Sequence, residues 1–171
     1  MSSLQSELER SGVLWLSSKV RSFLEAEADA KCPEESGGVL LGYWAGEPAC
    51  PVVTQAVGPG PKAIHDRCWF IPDYEFHERE VSRLYSDSKG TLQYMGDWHS
   101  HPGVSGRLSK KDRSTLLRIA KARAARAPRP LMLILGYGPE WELFGWSLGT
   151  QSSRFSFCRR RTIERWDIVE F

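Results

Sequence analysis

The spacing of apolar residues predicts three helices, because three segments of the chain repeat their apolar positions every three to four residues. Capping and helix-breaking residues place their expected boundaries at Ser17 or Ser18 and Pro33, at Asp73 and Gly90, and at Ser109 and Pro128. The residues expected on the buried faces are Val20, Phe23, Leu24 and Ala28, then His77, Val81, Leu84 and Tyr85, then Leu116, Ile119, Ala120 and Ala124.

Short apolar or alternating runs between these helices predict strands. They cover residues 39–44, 52–57, 67–71 and 92–99 and the runs LMLILGYG and WELFGWSL, while residues 13–16 suit a strand or the lead-in to a helix. The polar, basic tail from Ser152 is expected to add an element at an edge. The sum is an α/β fold with a mixed sheet and about three helices in one domain, residues 1–171, with a core at about 13–148 and a tail at 152–171.

The composition is that of an ordinary globular protein and excludes few classes of function. The chain has 171 residues, 41% of them hydrophobic and 26% charged, which suffices to bury a core without disulfides. A formal net charge of +2 is too small by itself to indicate a nucleic-acid-binding protein. No apolar run has the length of a membrane span, and MSSLQSELERSG lacks the pattern of a signal peptide, so a cytoplasmic location is expected.

The cysteines do not form a metal or redox motif. Cys32, Cys50, Cys68 and Cys158 include no C-x-x-C pair, which argues against a zinc ribbon and against a thioredoxin-like site. We expect them to be reduced and buried.

The segment HSHPGVSGRLSKKD carries the strongest candidate chemistry. His99 and His101 are two residues apart in a predicted strand, so both side chains point to one side and can bind one metal ion together. Pro102 ends the strand, and a bend rich in glycine and serine leads to Ser109 and Asp112, which face the same way at a helix start. Asp112 would supply a third ligand, although Ser109-x-x-Asp112 is also a common N-cap pattern.

This segment resembles the motif of JAMM (MPN+/JAB) metalloproteases, H-[ST]-H-P followed by a serine and an aspartate at the same spacing. Upstream, CPEESGGVLLGYW resembles the family's P-x-E-x-G-G-x-L-x-G segment, which places the family's glutamate on Glu35, with Glu34 as the alternative. The resemblance covers about residues 13–148. It implies a single-domain α-β-α sandwich, a layout shared with cytidine deaminases.

The resemblance also implies the chemistry of the site. One catalytic Zn²⁺ per chain would bind His99, His101 and Asp112, with Glu35 as general base and then acid and Ser109 as a donor to the oxyanion. The substrate would be an isopeptide or peptide bond at the C-terminus of ubiquitin or a ubiquitin-like protein. The segments GPGPKAIHDRCWFIPDYEF and YMGDWHSHPG look closest to bacterial members encoded beside E1-like and E2-like enzymes, including antiphage operons. A substrate tail is expected to add as a strand beside residues 67–71.

Two alternatives to an active protease remain at this point. Between Arg107 and Arg129 there are nine basic residues and one acid, Asp112, which allows a nucleic-acid-binding module or simply a solvated helix face. A catalytically silent MPN-type scaffold is the other alternative. His65 and His77 are expected to lie outside the site, with His77 packed in the core.

Overall fold

The computed structural model describes residues 10–137, 140–152 and 159–171. Its α-helices are α1 (Ser18–Lys31), α2 (Tyr74–Asp87) and α3 (Lys110–Lys121), the last followed by a 3₁₀ turn at Arg123–Ala125. Its strands are β1 (Arg10–Leu16), β2 (Gly37–Ala45), β3 (Cys50–Val57), β4 (Ile64–His65), β5 (Phe70–Ile71), β6 (Gln93–His101), β7 (Leu131–Tyr137), β8 (Trp141–Ser152) and β9 (Arg159–Glu170).

Seven strands form a mixed sheet in the order β3, β2, β6, β7, β8, β9, β1. The β6–β7 pair is parallel, whereas β2 runs antiparallel to both β3 and β6. The expectation that the basic tail forms an edge element is wrong: β9 pairs with β8 on one side and with β1 on the other. β1 also pairs with β3, at Trp15–Val52 and Leu16–Val53, so the two ends of the strand order meet.

Helices cover the sheet on both faces. On one face, α1 buries Val20, Leu24 and Ala28 in a cluster with residues such as Trp98 and Leu133. On the other, α2 packs near Val39 and Leu41, and α3 inserts Leu116 against Met132 and Ile134. The predicted α/β fold with three helices around a mixed sheet is therefore confirmed. None of the described helices is both long enough and apolar enough to span a membrane.

Three residues assigned to buried helix faces are in fact exposed. Tyr85 is 46% exposed because its ring turns toward Gly90 just beyond the end of α2. Phe23 is 36% exposed and touches Trp98 only with a ring edge. Ala124 is exposed because α3 ends at Lys121 and the chain then leaves the sheet surface. The apolar pattern in the sequence therefore includes residues beyond the part of each helix that packs against the sheet.

Residues 67–71 do not form the single strand that the sequence predicts. The backbone amide of Asp66 donates to the carbonyl of Trp69 at 2.9 Å, and this turn separates β4 from β5. The two short strands pair as a hairpin that stands apart from the main sheet. The cysteine prediction is half right: Cys32, Cys50 and Cys68 are free, but Cys32 and Cys68 are exposed rather than buried, and Cys158 lies outside the described residues.

Candidate metal centre and active site

The C-terminal end of β6 and the first turn of α3 bring His99, His101 and Asp112 together. Nε2 of His99 lies 2.9 Å from Nε2 of His101 and 3.4 Å from Oδ1 of Asp112. One potential ligand atom from each residue lies within 4.8 Å of the other two. His99 and Asp112 are each only 7% exposed, whereas His101 is partly open to solvent.

The protonation of these groups suits a metal ion. Burial lowers the pKa of the His99 imidazole well below its usual range, so the ring is neutral at pH 7, the form that binds metals. Nδ1 of His101 faces the carbonyl of Ser105 at 3.4 Å, an arrangement that directs Nε2 toward His99. Two imidazole nitrogens and a carboxylate oxygen in this space match the donor set of a divalent transition-metal site.

Ser109 and Asp112 form a capping box at the start of α3. The amide of Asp112 donates to Oγ of Ser109 at 3.1 Å, and the amide of Ser109 donates to Oδ2 of Asp112 at 2.8 Å. The cap and the metal site are therefore compatible. Asp112 caps with Oδ2 and faces His99 with Oδ1, while Ser109 accepts with one lone pair and keeps its hydroxyl hydrogen for another partner.

Glu35 lies in the loop between α1 and β2, where the β4–β5 hairpin fixes its backbone. Its amide donates to the carbonyl of Asp66 at 2.7 Å, and its carbonyl accepts from Nδ1 of His65 at 2.8 Å. The pKa of the Glu35 carboxyl is raised to about 7, chiefly by burial; Lys111 opposes the rise, and the charges of Asp112 and Asp66 add to it. Glu34, the alternative from the sequence, is exposed in the turn that ends α1.

Two serines that the sequence did not single out connect the glutamate loop to the histidine strand. The amide of Ser36 donates to Oγ of Ser100 at 3.0 Å, and the amide of Ser100 donates to the carbonyl of Ser36 at 2.8 Å. Both residues are fully buried. Since Ser36 follows Glu35 and Ser100 separates the two histidines, these bonds set the position of the carboxyl relative to the imidazoles.

The glycine pair after Ser36 permits this close approach. Gly37 lies opposite His99 in the β2–β6 ladder, and a Cβ on it would come within 2.4 Å of the Phe70 ring and 2.5 Å of the carbonyl oxygen of Trp98. A Cβ on Gly38 would come within 1.9 Å of the carbonyl oxygen of Val57. Side chains at these positions would force β2 away from its neighbours, the Phe70 ring and β6 at Gly37 and the end of β3 at Gly38, and would move Glu35 with it.

His65 and His77 were expected to lie outside the site, and His77 matches this expectation fully. His77 is 7% exposed on α2, and its Nε2 donates to the carbonyl of Gly58 at 2.8 Å. His65 is not among the grouped metal ligands, but it bonds to the backbone of Glu35 and so belongs to the support of the site. Sequence spacing could not reveal that contact, because 30 positions separate the two residues.

Comparisons with known proteins agree on one family. Residues 17–160 match the family model described as prokaryotic homologs of the JAB domain. A probable metalloprotease of Sinorhizobium fredii is 37% identical over 136 residues, which are 78% of this chain and 82% of that protein.

Proteins named CD-NTase/cGAS isopeptidase also match. The one from Escherichia coli is 34% identical over 68 residues, 40% of this chain and 42% of that protein. The one from Pseudomonas aeruginosa is 30% identical over 109 residues, 64% of this chain and 66% of that protein. A solution structure of a protein from Desulfitobacterium hafniense covers 92% of both chains with a TM-score of 0.57, and at 18% identity it shows likeness of fold alone.

Proposed function

The chain belongs to the prokaryotic homologues of the JAB domain and is a hydrolase of the JAMM type; from this premise we propose that it is a zinc-dependent isopeptidase of the cytoplasm. It removes a ubiquitin-like modifier, or another conjugated protein, by cutting the bond at the C-terminus of the modifier. The observation that carries the proposal is the convergence of His99, His101 and Asp112 beside a carboxyl whose pKa is raised to about 7, that of Glu35.

The donor set fits zinc, since two imidazoles and a carboxylate would leave one position open in the tetrahedral geometry of a catalytic zinc site. When bound, the ion would supply Lewis acidity: it lowers the pKa of water and polarises the scissile carbonyl. His99 and Asp112 would hold it in the buried part of the site and His101 on the open side.

The protein's own groups account for the proton transfers. The Glu35 carboxylate takes a proton from the attacking water, and a pKa near 7 suits a group that must later give the proton to the leaving lysine amine. The free hydroxyl hydrogen of Ser109 donates to the oxyanion of the tetrahedral intermediate. Ser36 and Ser100 hold the loop that carries Glu35 against β6, the strand that carries the two histidines.

A peptide tail can reach this site along the β4–β5 hairpin. Among the described strands, β5 pairs only with β4, so its other edge is open to an added strand. Apolar side chains line this region: Ile64 is 55%, Trp69 38% and Ile71 44% exposed. Asp66 of the same hairpin bonds to the backbone of Glu35, which joins the hairpin to the loop of the proposed general base.

The relatives suggest the pathway. Proteins named CD-NTase/cGAS isopeptidase match over 40–64% of this chain, which supports a deconjugase. That it works with E1-like and E2-like enzymes of an antiphage system is our proposal from the sequence resemblance. The substrate would then be a protein conjugate formed by those enzymes.

The test is cleavage of a lysine-linked conjugate by the purified chain. We expect cleavage that stops when a chelator removes the metal, returns with Zn²⁺, and is absent from Glu35→Ala. Metal analysis should find about one zinc ion per chain. Equal cleavage by the wild type and Glu35→Ala would refute the mechanism, and a chain that binds no metal would instead be a scaffold. An unchanged rate for Trp69→Ala would refute tail binding along β5.

A further inference from the structure

The outer face of α3 carries a set of cations that the proposed chemistry does not use. Its members are Lys110, Arg113, Arg118 and Lys121, which we call the basic face. All four are exposed, and none forms an ion pair with another described residue. Arg118 donates to the neutral Thr115 hydroxyl at 3.5 Å, and its charge also acts on the buried Asp97 carboxyl, whose pKa it lowers against the effect of burial. The set therefore presents positive charge to solvent that an acidic partner can neutralise.

The basic face is continuous with the active site, because the two share one helix. The opposite side of α3 is buried and carries Asp112 in its first turn and Leu116 one turn later. Lys111 lies between the two sides, near enough to the Glu35 carboxyl to oppose the rise of its pKa. A protein bound in the active site therefore meets the basic face within one or two helical turns, about 5–10 Å.

The basic face also contains an apolar residue. Leu117 is 36% exposed and lies seven residues after Lys110 and four before Lys121, so the three share one stripe of the helix. An aliphatic side chain among cations suits an acidic polypeptide that also presents an apolar side chain. Protein interfaces commonly surround an apolar contact with charged groups in this way.

The same features argue against nucleic acid as the partner. Single-stranded nucleic acids are held by aromatic side chains that stack on the bases, and residues 105–136 contain no Phe, Trp or Tyr. What the face offers is positive charge and one aliphatic anchor.

We propose that the basic face of α3 docks an acidic segment of the protein substrate whose conjugate bond enters the neighbouring active site. The inference rests on the proposed isopeptidase function for the identity of the partner. Docking there would raise the association rate with acidic conjugates over neutral ones through electrostatic steering. It would thus select substrates by charge, in addition to any recognition of the modifier's tail.

The experiment compares a charge-reversal triple, Lys110→Glu/Arg113→Glu/Lys121→Glu, with a matched control triple, Lys19→Glu/Arg79→Glu/Lys89→Glu. The control positions are also exposed, produce the same change in net charge and lie outside α3. Fluorescence anisotropy on the full chain measures binding of a labelled peptide rich in Glu, Asp and Leu at low salt. Single-stranded and duplex DNA of equal total charge serve as competing probes.

We expect the charge-reversal triple to weaken peptide binding at least tenfold and the control triple to weaken it less than twofold. In cleavage assays, the charge-reversal triple should raise KM for an acidic conjugate and leave the cleavage of a short neutral peptide unchanged. Equal losses of peptide binding in the charge-reversal triple and the control triple would overturn the proposal. It would also be overturned if DNA bound more tightly than the peptide and its binding were weakened as much by the charge reversal. Because anisotropy needs no turnover, a chain that binds the peptide but cleaves nothing refutes only the isopeptidase function. A chain that cleaves conjugates but whose binding ignores the reversal refutes only the docking surface.

Discussion

Two aspartates at helix starts on the same face of the sheet show how a structural cap differs from a functional one. Asp73 before α2 and Asp112 in the first turn of α3 are each 7% exposed. Both oxygens of Asp73 accept from backbone amides, Oδ1 from Phe76 at 3.1 Å and Oδ2 from Lys62 at 3.3 Å. Asp112 uses only Oδ2 for the backbone, and its Oδ1 faces His99 at 3.4 Å. Residue type and burial are equal, so the second oxygen makes the difference.

The helices that follow differ in the same sense. On α2, Arg83 pairs with Glu80 at 2.8 Å and with Asp87 at 3.0 Å, so its charges are balanced within the helix. On α3, the exposed cations have no such partners among the described residues. The charges of Arg83 are thus matched within α2, whereas α3 directs a buried carboxylate oxygen at His99 and exposes a set of cations, which gives it capacity for a ligand.

The largest effect is expected when the same isosteric change is made at both caps. Asp112→Asn retains an oxygen for the Ser109 amide but replaces the charged ligand, so metal affinity and conjugate cleavage should fall by at least about 100-fold. Asp73→Asn should cost about 1 kcal/mol of unfolding free energy, because the amide nitrogen that replaces Oδ2 cannot accept from Lys62, and should leave cleavage within about twofold. Metal titration, cleavage rates and chemical denaturation provide the three readouts. Similar losses of cleavage in both variants would show that the cap, and not the second oxygen, controls activity.

The next largest effect is expected from substitutions at the two neighbouring glutamates before β2, Glu34 and Glu35. Glu35→Gln removes the proposed proton carrier and should reduce kcat by about 10²–10⁴-fold while metal binding persists. Glu34→Gln, the matched control in the exposed turn, should remain within about twofold of the wild type. The measurement is single-turnover cleavage with zinc content determined in the same samples. If Glu34→Gln lost the activity instead, the alternative alignment of the motif would be the correct one.

Much of this contrast could be predicted from the sequence, because it depends on spacing along one strand or one helix. The i, i+2 positions of His99 and His101 and the i, i+3 positions of Ser109 and Asp112 determine local direction whatever the rest of the fold does. The caps at Asp73 and Ser109 follow from the same local rules, and the structure contains both. Local geometry was therefore sufficient to predict both the helix starts and the grouping of the metal-ligand candidates.

Features that depend on contacts between distant segments could not be predicted in this way. Ser36 and Ser100 bond across 64 positions, and nothing local distinguishes them from other serines. Pairing of β9 with β1 joins the two ends of the chain, so the tail resembled an edge element. The environment of Glu35 arises from burial together with Lys111, Asp112 and Asp66, which reach it from elsewhere in the chain. Taken alone, its segment resembles an ordinary polar loop.

A smaller effect tests whether the cap at Ser109 also has a chemical role. Ser109→Ala loses the acceptor for the Asp112 amide and the hydroxyl donor, so we expect about 1 kcal/mol less stability and about 10²–10³-fold lower kcat. Ser109→Gly also lacks the hydroxyl but is a tolerated N-cap, so it should recover most of the stability and none of the activity. Ser109→Thr should retain both. If activity changed in parallel with stability across the three variants, the role of Ser109 would be that of a helix cap alone.

The smallest expected effect is the pH dependence of the metal-free protein. The pKa of Glu35 is about 7 in the folded chain and 4.5 for the unperturbed carboxyl, so the folded state retains a proton that the unfolded state has released between these values. Folding stability from this group is therefore present below about pH 4.5 and is lost as the pH rises through 7. Glu35→Gln removes this loss. Allowing for its partial exposure, the variant should exceed the wild type by about 1 kcal/mol at pH 8 and match it near pH 4.

The pH effect at Glu35 should depend on the charge of Asp112 and not on that of Asp73. Its carboxylate helps to raise the pKa of Glu35, so Asp112→Asn should lower that pKa in the metal-free chain and shrink the stability gap at pH 8. Asp73 is not among the groups that act on Glu35, and Asp73→Asn should leave the gap unchanged. Denaturation of the single and double variants at pH 4 and pH 8 measures this coupling directly. An equal response to both substitutions would mean that the Asp112 carboxylate does not act as a charge on Glu35.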